Sequence, residues 1–270
     1  MVAATTSPSP SDPVRVAICG VRGRMGREMA GGLPGFPGIS VVGGCDPIAR
    51  TDEGEPYPVT TSLSRLLDAV HPDVVVDFTV AEAAIANAQC ALKAGTPIVI
   101  GTTGLGDADL ERIDEIATRA GVGAMVAPNF AVGAILLAQF ARIASKYFDA
   151  AEVIEIHHDG KIDAPSGTAM MIARAMREGR GKPFAGDNVV KHTVAGARGA
   201  EYQDLHVHSL RMPGFVATHE VIFGGPGQSL TIRHDAPGRD TYLPGVAYAV
   251  AHIREYVGLV HGLDRMMDFS

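Results

Sequence analysis

Positive charge and cysteine are both scarce in this chain, and long apolar runs are missing from it. Against 30 acidic residues stand 23 lysines and arginines, giving a formal net charge of -7. That balance argues against a nucleic-acid-binding surface. An anionic ligand would need local positive charge, which singles out Arg22, Arg24 and Lys161. The three cysteines, Cys19, Cys45 and Cys90, are odd in number, sit among apolar neighbours and lack zinc-site spacing. They read as buried thiols in a reducing compartment rather than a disulfide framework. No segment approaches the roughly 20 apolar residues of a membrane span. The opening MVAATTSPSPSDP has neither a basic start nor an apolar centre, so it is no secretory signal and reads as a disordered tail over 1–13. These absences point to a cytoplasmic protein with no membrane and no nucleic-acid partner.

What is present is ordinary for a globular protein. Of 270 residues, 46% are hydrophobic and 20% charged, enough for one large or two medium domains.

The chain is organised around residues 152–168, EVIEIHHDGKIDAPSGT. A short apolar strand ends in His157 and His158, and a turn at Asp159-Gly160 then presents Lys161. A helix starts at Pro165-Ser166, with Ser166 as its N-cap. Histidine exchanges protons near neutral pH, and lysine supplies positive charge and a proton. The backbone N–H groups of Gly167 and Thr168 at a helix start suit a carboxylate or phosphate. Together they describe a site for a small anionic substrate that must be protonated. Adjacent strand residues face opposite ways, so the His-His pair is a poor chelate and no metal is expected.

Upstream, residues 14–19 form an apolar run that ends in the triplet Gly20, Gly23 and Gly26 before a helical pattern. A strand, a tight glycine turn and a helix in that order suit a dinucleotide pyrophosphate, with close backbone approach at Gly23 and close helix packing at Gly26. A second strand, 39–45, ends at Asp46, placed to accept from a ribose 2′-hydroxyl. A polar loop (49–60), a helix (62–70), a strand (74–78), a helix (81–94), a strand (97–100), a helix (107–120) and a strand (122–127) follow. Such alternation, with near-continuously apolar strands, predicts a parallel sheet covered on both faces. Gly101, Thr102 and Thr103, and Ala127, Pro128, Asn129 and Phe130, fall at carboxyl ends of its strands, where ligands of such sheets bind.

Beyond Pro128 a new domain is expected. A long amphipathic helix (134–147) precedes the organising stretch, and a glycine-rich, charged loop (179–191) follows it. Alternating runs at 205–212, 215–223 and 229–234 read as an antiparallel sheet with turns at Pro213-Gly214 and 224–227. His206 and His208 share a strand face, where a structural or interfacial role is the better reading. A final helix is expected over 242–256.

The segment EIHHDGKIDAPSGTA resembles the signature of the 4-hydroxy-tetrahydrodipicolinate reductases of bacterial lysine and diaminopimelate biosynthesis, matched without a break. The likeness runs through nearly all of the chain beyond the tail. It implies a Rossmann-type doubly wound α/β domain (14–128 and 238–270) that binds NADH or NADPH. A second α+β domain (129–237) with a mainly antiparallel sheet would carry substrate binding and the contacts of a homotetramer. It further implies that His157 gives or takes a proton, Lys161 donates one, and His158, Gly167 and Thr168 bind a dicarboxylate substrate. The resemblance extends the cofactor site to the whole glycine turn, implying that Gly20, Val21, Arg22, Gly23, Arg24 and Met25 hold the cofactor. The Gly101–Thr103 and Ala127–Phe130 segments would meet its nicotinamide half. Family members that favour NADPH often carry an arginine directly after the acid at strand 2; here Pro47 follows Asp46, which leans towards NADH, although Arg22 or Arg24 is placed to meet a 2′-phosphate. Other two-domain dehydrogenases share this outline, but the semialdehyde enzymes need a catalytic cysteine, and none of the three is placed for it. A non-enzymatic dinucleotide sensor would have no use for the HHDGK loop.

Overall fold

The computed structural model describes residues 12–48, 54–185, 189, 191–267 and 269. The expected tail and parts of the loops expected at 49–60 and 179–191 lie outside these residues. The chain divides into two compact units, one running to Phe130 and resuming at Tyr242, the other spanning Ala131–Thr241.

The first unit begins with β1 (Val14–Cys19), α1 (Arg24–Gly32), β2 (Ile39–Cys45), β3 (Val59–Thr60) and α2 (Leu63–Val70). It continues with β4 (Val74–Asp77), α3 (Ala81–Lys93), β5 (Ile98–Ile100), α4 (Asp107–Ala120) and β6 (Gly123–Val126). The second unit holds α5 (Val132–Ala144), β7 (Ala150–His157), α6 (Gly167–Arg180), β8 (Ala200–Tyr202), β9 (Leu205–Arg211), β10 (Ala217–Gly225) and β11 (Gln228–Ala236). The chain then gives α7 (Leu243–His252) and β12 (Gly258–His261) back to the first unit.

In the first unit the strand order is β12-β6-β5-β4-β1-β2-β3, with every neighbouring pair parallel. The residue types explain this: β4, β5 and β6 are buried at every position, as strands covered on both faces must be. Leu66, Ala88, Leu92, Ile113 and Ala117 from α2, α3 and α4 fill one side of the sheet. At Gly26 a Cβ would sit 1.9 Å from the carbonyl oxygen of Gly20. Only a residue without a side chain lets α1 leave the end of β1 at that angle.

In the second unit the order is β11-β10-β7-β9-β8, so β7 is the middle strand. It runs antiparallel to β10 and parallel to β9, while β10–β11 and β8–β9 are antiparallel. The sheet is therefore mixed, mainly antiparallel. β9 and β10 follow one another across Pro213-Gly214 yet do not pair, because β7 lies between them. The turn expected at 224–227 falls one residue later, between the paired Gly225 and Gln228, and closes a true hairpin with Gly227 at φ +72°. Val153 on β7, with Val207 and Val221 beside it, packs under Leu137, Ala141, Ile172 and Met176 of α5 and α6. Gly179 allows the two helices to approach, since a Cβ there would lie 2.2 Å from the Arg142 carbonyl oxygen. Among the described residues no helix is long and apolar enough to cross a membrane.

Gly26→Ala is expected to cost about 1–3 kcal/mol of stability, because the clash is with backbone and no rotamer change relieves it. Urea unfolding followed by circular dichroism measures this, and an unchanged midpoint would refute the close-approach reading.

Candidate active site

In the first unit the glycine turn is stapled to the end of β2 by one carboxylate. Asp46 is 6% exposed; its Oδ2 accepts from the backbone N of Arg22 at 3.0 Å and its Oδ1 from that of Ile48 at 3.0 Å. The residue expected to face a ribose thus also holds the turn in shape. Gly20 takes φ +77°, and a Cβ there would stand 2.6 Å from the Phe78 carbonyl oxygen. Gly23 is the N-cap of α1 and carries no side-chain cap, so nothing from the cap covers the helix start. A bare helix N-terminus beside a glycine turn fits a pyrophosphate by its positive dipole end and its open N–H groups. Val21, by contrast, is 4% exposed and packs against Gly44; its side chain belongs to the core. Arg24 is exposed and Met25 half-buried. The Arg22 guanidinium lies 3.7 Å from Glu55.

A second carboxylate, which the sequence reading missed, organises the expected Gly101–Thr103 segment. Asp77, at the end of β4, is fully buried. Its Oδ1 accepts from the Thr79 hydroxyl at 2.7 Å and the Thr102 hydroxyl at 2.8 Å, and its Oδ2 from Asn87 at 2.8 Å. The Thr102 hydroxyl also accepts from Thr79 N at 2.8 Å, which commits its side chain to the loop rather than to a ligand. Gly101 lies against the Phe78 ring, and Thr103 is exposed. Ala127 and Phe130 are buried, Phe130 facing Phe78 at 6.1 Å between centroids; Pro128 is exposed and Asn129 half-buried. Any ligand contact from Ala127 or Phe130 therefore comes through backbone.

In the second unit, β7 brings Val153, Glu155 and His157 onto its covered face, as a two-residue period requires. Glu155 is fully buried and saturated. Its Oε2 meets His157 Nδ1 and accepts from Arg211 at 3.0 Å; its Oε1 accepts from Arg211 at 2.9 Å and from Ser166 N at 3.3 Å. Burial pushes the carboxyl up, but hydrogen bonds from His157, Arg211 and Ser209 outweigh it and bring Glu155 down to about 2. It is a carboxylate at neutral pH. Arg211 and Ser209 reach it because β9 sets them opposite His157 and Glu155.

His219 stands opposite Glu155 on β10. Its Nε2 lies 3.2 Å from Ser166 Oγ, and its ring meets His157 edge-on, with centroids 5.3 Å apart. Burial, and then the neighbouring charge of His157, lower its pKa to about 4, so it is neutral. Glu155 was within reach of sequence reasoning, two residues before His157 on one strand face. Arg211 and His219 were not, since their strands flank β7 only in the folded sheet.

Of the expected substrate groups, His158 is exposed and its carbonyl accepts from Lys161 N at 3.1 Å. Lys161 Nζ donates to both Asp163 oxygens, at 2.7 and 2.9 Å. That hydrogen bond is the main reason Asp163 falls below the usual carboxylate range. Ser166 is the N-cap of α6, and its Oγ accepts from Ala169 N at 3.1 Å. The cap thus takes the amide of Ala169 and not those of Gly167 and Thr168. On the sheet's other face His208 Nε2 lies 2.7 Å from a Glu152 oxygen, a structural hydrogen bond for that histidine. All three cysteines are free thiols, with Cys19 and Cys45 buried.

A glycine turn on a doubly wound parallel sheet, and a buried histidine–carboxylate–arginine cluster on a separate unit, fit the class of dinucleotide-dependent oxidoreductases. Comparison with known proteins narrows it. Residues 14–130 match the family model described as "Dihydrodipicolinate reductase, N-terminus", and residues 133–267 match "Dihydrodipicolinate reductase, C-terminus". The 4-hydroxy-tetrahydrodipicolinate reductase of Moorella thermoacetica is 47% identical over 95% of this chain and 98% of its own length. That of Geobacillus kaustophilus is 44% identical over 94% of this chain and 99% of its own. A solved structure, dipicolinate-bound dihydrodipicolinate reductase from Paenisporosarcina sp. TG-14, is similar with a TM-score of 0.85 at 36% identity, covering 94% of this chain and all of that one. The chain belongs to the 4-hydroxy-tetrahydrodipicolinate reductase family, whose members are NAD(P)H-dependent oxidoreductases.

The buried histidine gives a pH-dependent stability. His219 has a folded value of about 4 against an ordinary 6.5, so between these the unfolded chain binds a proton that the folded one refuses. Stability is therefore lost as pH falls from 6.5 through 4; Glu155 adds a loss lower down, from 4.5 towards 2. Between about pH 7 and about pH 4 the parent should lose roughly 2–3 kcal/mol more than His219→Asn. Urea unfolding at both pH values measures the difference, and equal losses would refute it.

Proposed function

We infer that this chain reduces 4-hydroxy-tetrahydrodipicolinate to tetrahydrodipicolinate with loss of water, using NADH or NADPH, in lysine and diaminopimelate biosynthesis. The observation that carries the reading is the HHDGKIDAPSGT segment folded as strand end, Lys161 loop and α6 start, with His157 held by a buried carboxylate. The bound nicotinamide supplies the hydride. The protein's own work is to bind, orient and move protons. Hydride addition to an unsaturated imine ring leaves electron density that must take up a proton, and the departing hydroxyl must leave as water. Lys161 is the proton donor and His157 the donor or acceptor. His158 and the α6 start at Gly167 and Thr168 bind the substrate's carboxylates, the helix end by its dipole and amides. The dipicolinate bound to the Paenisporosarcina relative is a planar dicarboxylate, which supports this substrate class.

For the cofactor, Gly20 to Met25, Asp46, Gly101 to Thr103 and Ala127 to Phe130 form the site. Pro47 after Asp46, and the Arg22 guanidinium beside Glu55, support NADH as the better donor. The protein acts as a cytoplasmic homotetramer. Support for the assembly comes from the second unit's other sheet face, where Leu210 (37% exposed) stands beside Ile156 and Ile222 stands beside Glu152.

Turnover of freshly generated substrate, followed as loss of reduced-nicotinamide absorbance, tests the activity. Lys161→Ala should lower kcat on the order of 10²–10⁴-fold with nucleotide affinity unchanged. NADH should give the higher kcat/KM of the two cofactors. Absence of turnover by the parent with either cofactor would overturn the reading.

A further inference from the structure

We propose that Glu155 is a positioning residue of the reaction, acting through His157 by fixing its tautomer and ring plane; this rests on the function inferred above. The geometry leaves the histidine no alternative. Oε2 is shared between His157 Nδ1 and an Arg211 nitrogen at 3.0 Å, while Oε1 takes the other Arg211 nitrogen at 2.9 Å and Ser166 N at 3.3 Å. With the Ser209 side chain beside them, these donors fill the acceptor sites of a carboxylate, so it has no second orientation. An ionised carboxylate only accepts, so the ring nitrogen facing it must carry the hydrogen. His157 is thus held with Nδ1–H towards Glu155 and Nε2 away from it, the nitrogen left to exchange a proton with substrate. His219 meets the ring edge-on, with centroids 5.3 Å apart.

The same carboxylate ties His157 to the rest of the cluster. Through Ser166 N it reaches the residue that caps α6. Through Arg211, which also donates to the Asp163 carbonyl at 2.6 Å, it reaches the loop that carries Lys161. Hydrogen bonds from His157 and then Arg211 keep Glu155 ionised despite full burial, so towards the histidine the carboxylate only accepts. A purely structural ion pair would need only Arg211 and Glu155; it would not need His157 on the shared oxygen.

Two measurements test this. The first is the ¹⁵N spectrum of the His157 ring in the unaltered protein without substrate, at a pH where the ring is neutral. The expected tautomer is Nδ1–H, and an Nε2–H signal would overturn the proposal. The second is a double-mutant cycle in kcat. Glu155→Gln in the parent should lower kcat on the order of 10²-fold or more, as when a triad carboxylate is replaced by its amide. In a His157→Ala background it should cost no more than about twofold. Equal losses in both backgrounds would mean a structural role and would refute positioning. If Glu155→Gln does not fold, the ring spectrum still decides. Because that spectrum needs no substrate, a parent without reductase activity would overturn the function and leave the tautomer assignment separately testable.

Discussion

A buried carboxylate is tolerated only when its acceptor sites are filled by donors, and Glu155 meets that condition in the second unit. Donors from three elements close on it: His157 from its own strand, Arg211 and Ser209 from β9, and the backbone of Ser166 at the start of α6. Removing any one would leave an under-compensated charge in the interior, which costs several kcal/mol. The carboxylate therefore fixes more than a histidine. It fixes where the β7–α6 loop begins and ends, and with it the loop that carries Lys161. The order of the site is the order of this one hydrogen-bond network.

The first unit uses the same device twice. Asp77 gathers Thr79, Asn87 and Thr102 at the end of β4, and Asp46 gathers the amides of Arg22 and Ile48 at the end of β2. In each case an acid at the carboxyl end of a strand receives donors from neighbouring loops. Loops that would otherwise be free to wander are thereby shaped, at the edge of the sheet where a dinucleotide binds. Glycine supplies the complement. At Gly20 and Gly26 side chains are excluded by backbone oxygens 2.6 and 1.9 Å from where a Cβ would be. Carboxylates pull the loops in, and glycines let them come close.

Part of this was legible in the sequence. β2 and α4 run as expected, because an apolar strand ending at Asp46 and a helix stopped by Gly121 at φ 70° are encoded within a few residues. The cap at Ser166 and the glycine turn before α1 are equally local. Gly20 and Gly23, singled out for their backbone, form the tight turn between β1 and α1, with Gly20 at φ +77° and Gly23 as the N-cap. Thr102, Val21 and Phe130, named for their place in the glycine turn and at strand ends, turn their side chains to Asp77, Gly44 and Phe78, partners that no local pattern announces.

What the sequence by itself determined was the list of elements, the nucleotide turn, and the family signature with its histidines and lysine, since each depends on neighbours within a turn or a strand. What only the tertiary structure decided was the strand order. With β7 between β9 and β10, Ser209, Glu155 and His219 become one row across three strands, and Arg211 comes to lie opposite His157. No local pattern carries that information. Pairing between strands dozens of residues apart is selected by how whole faces bury together, and the buried charges find their partners only after that choice is made.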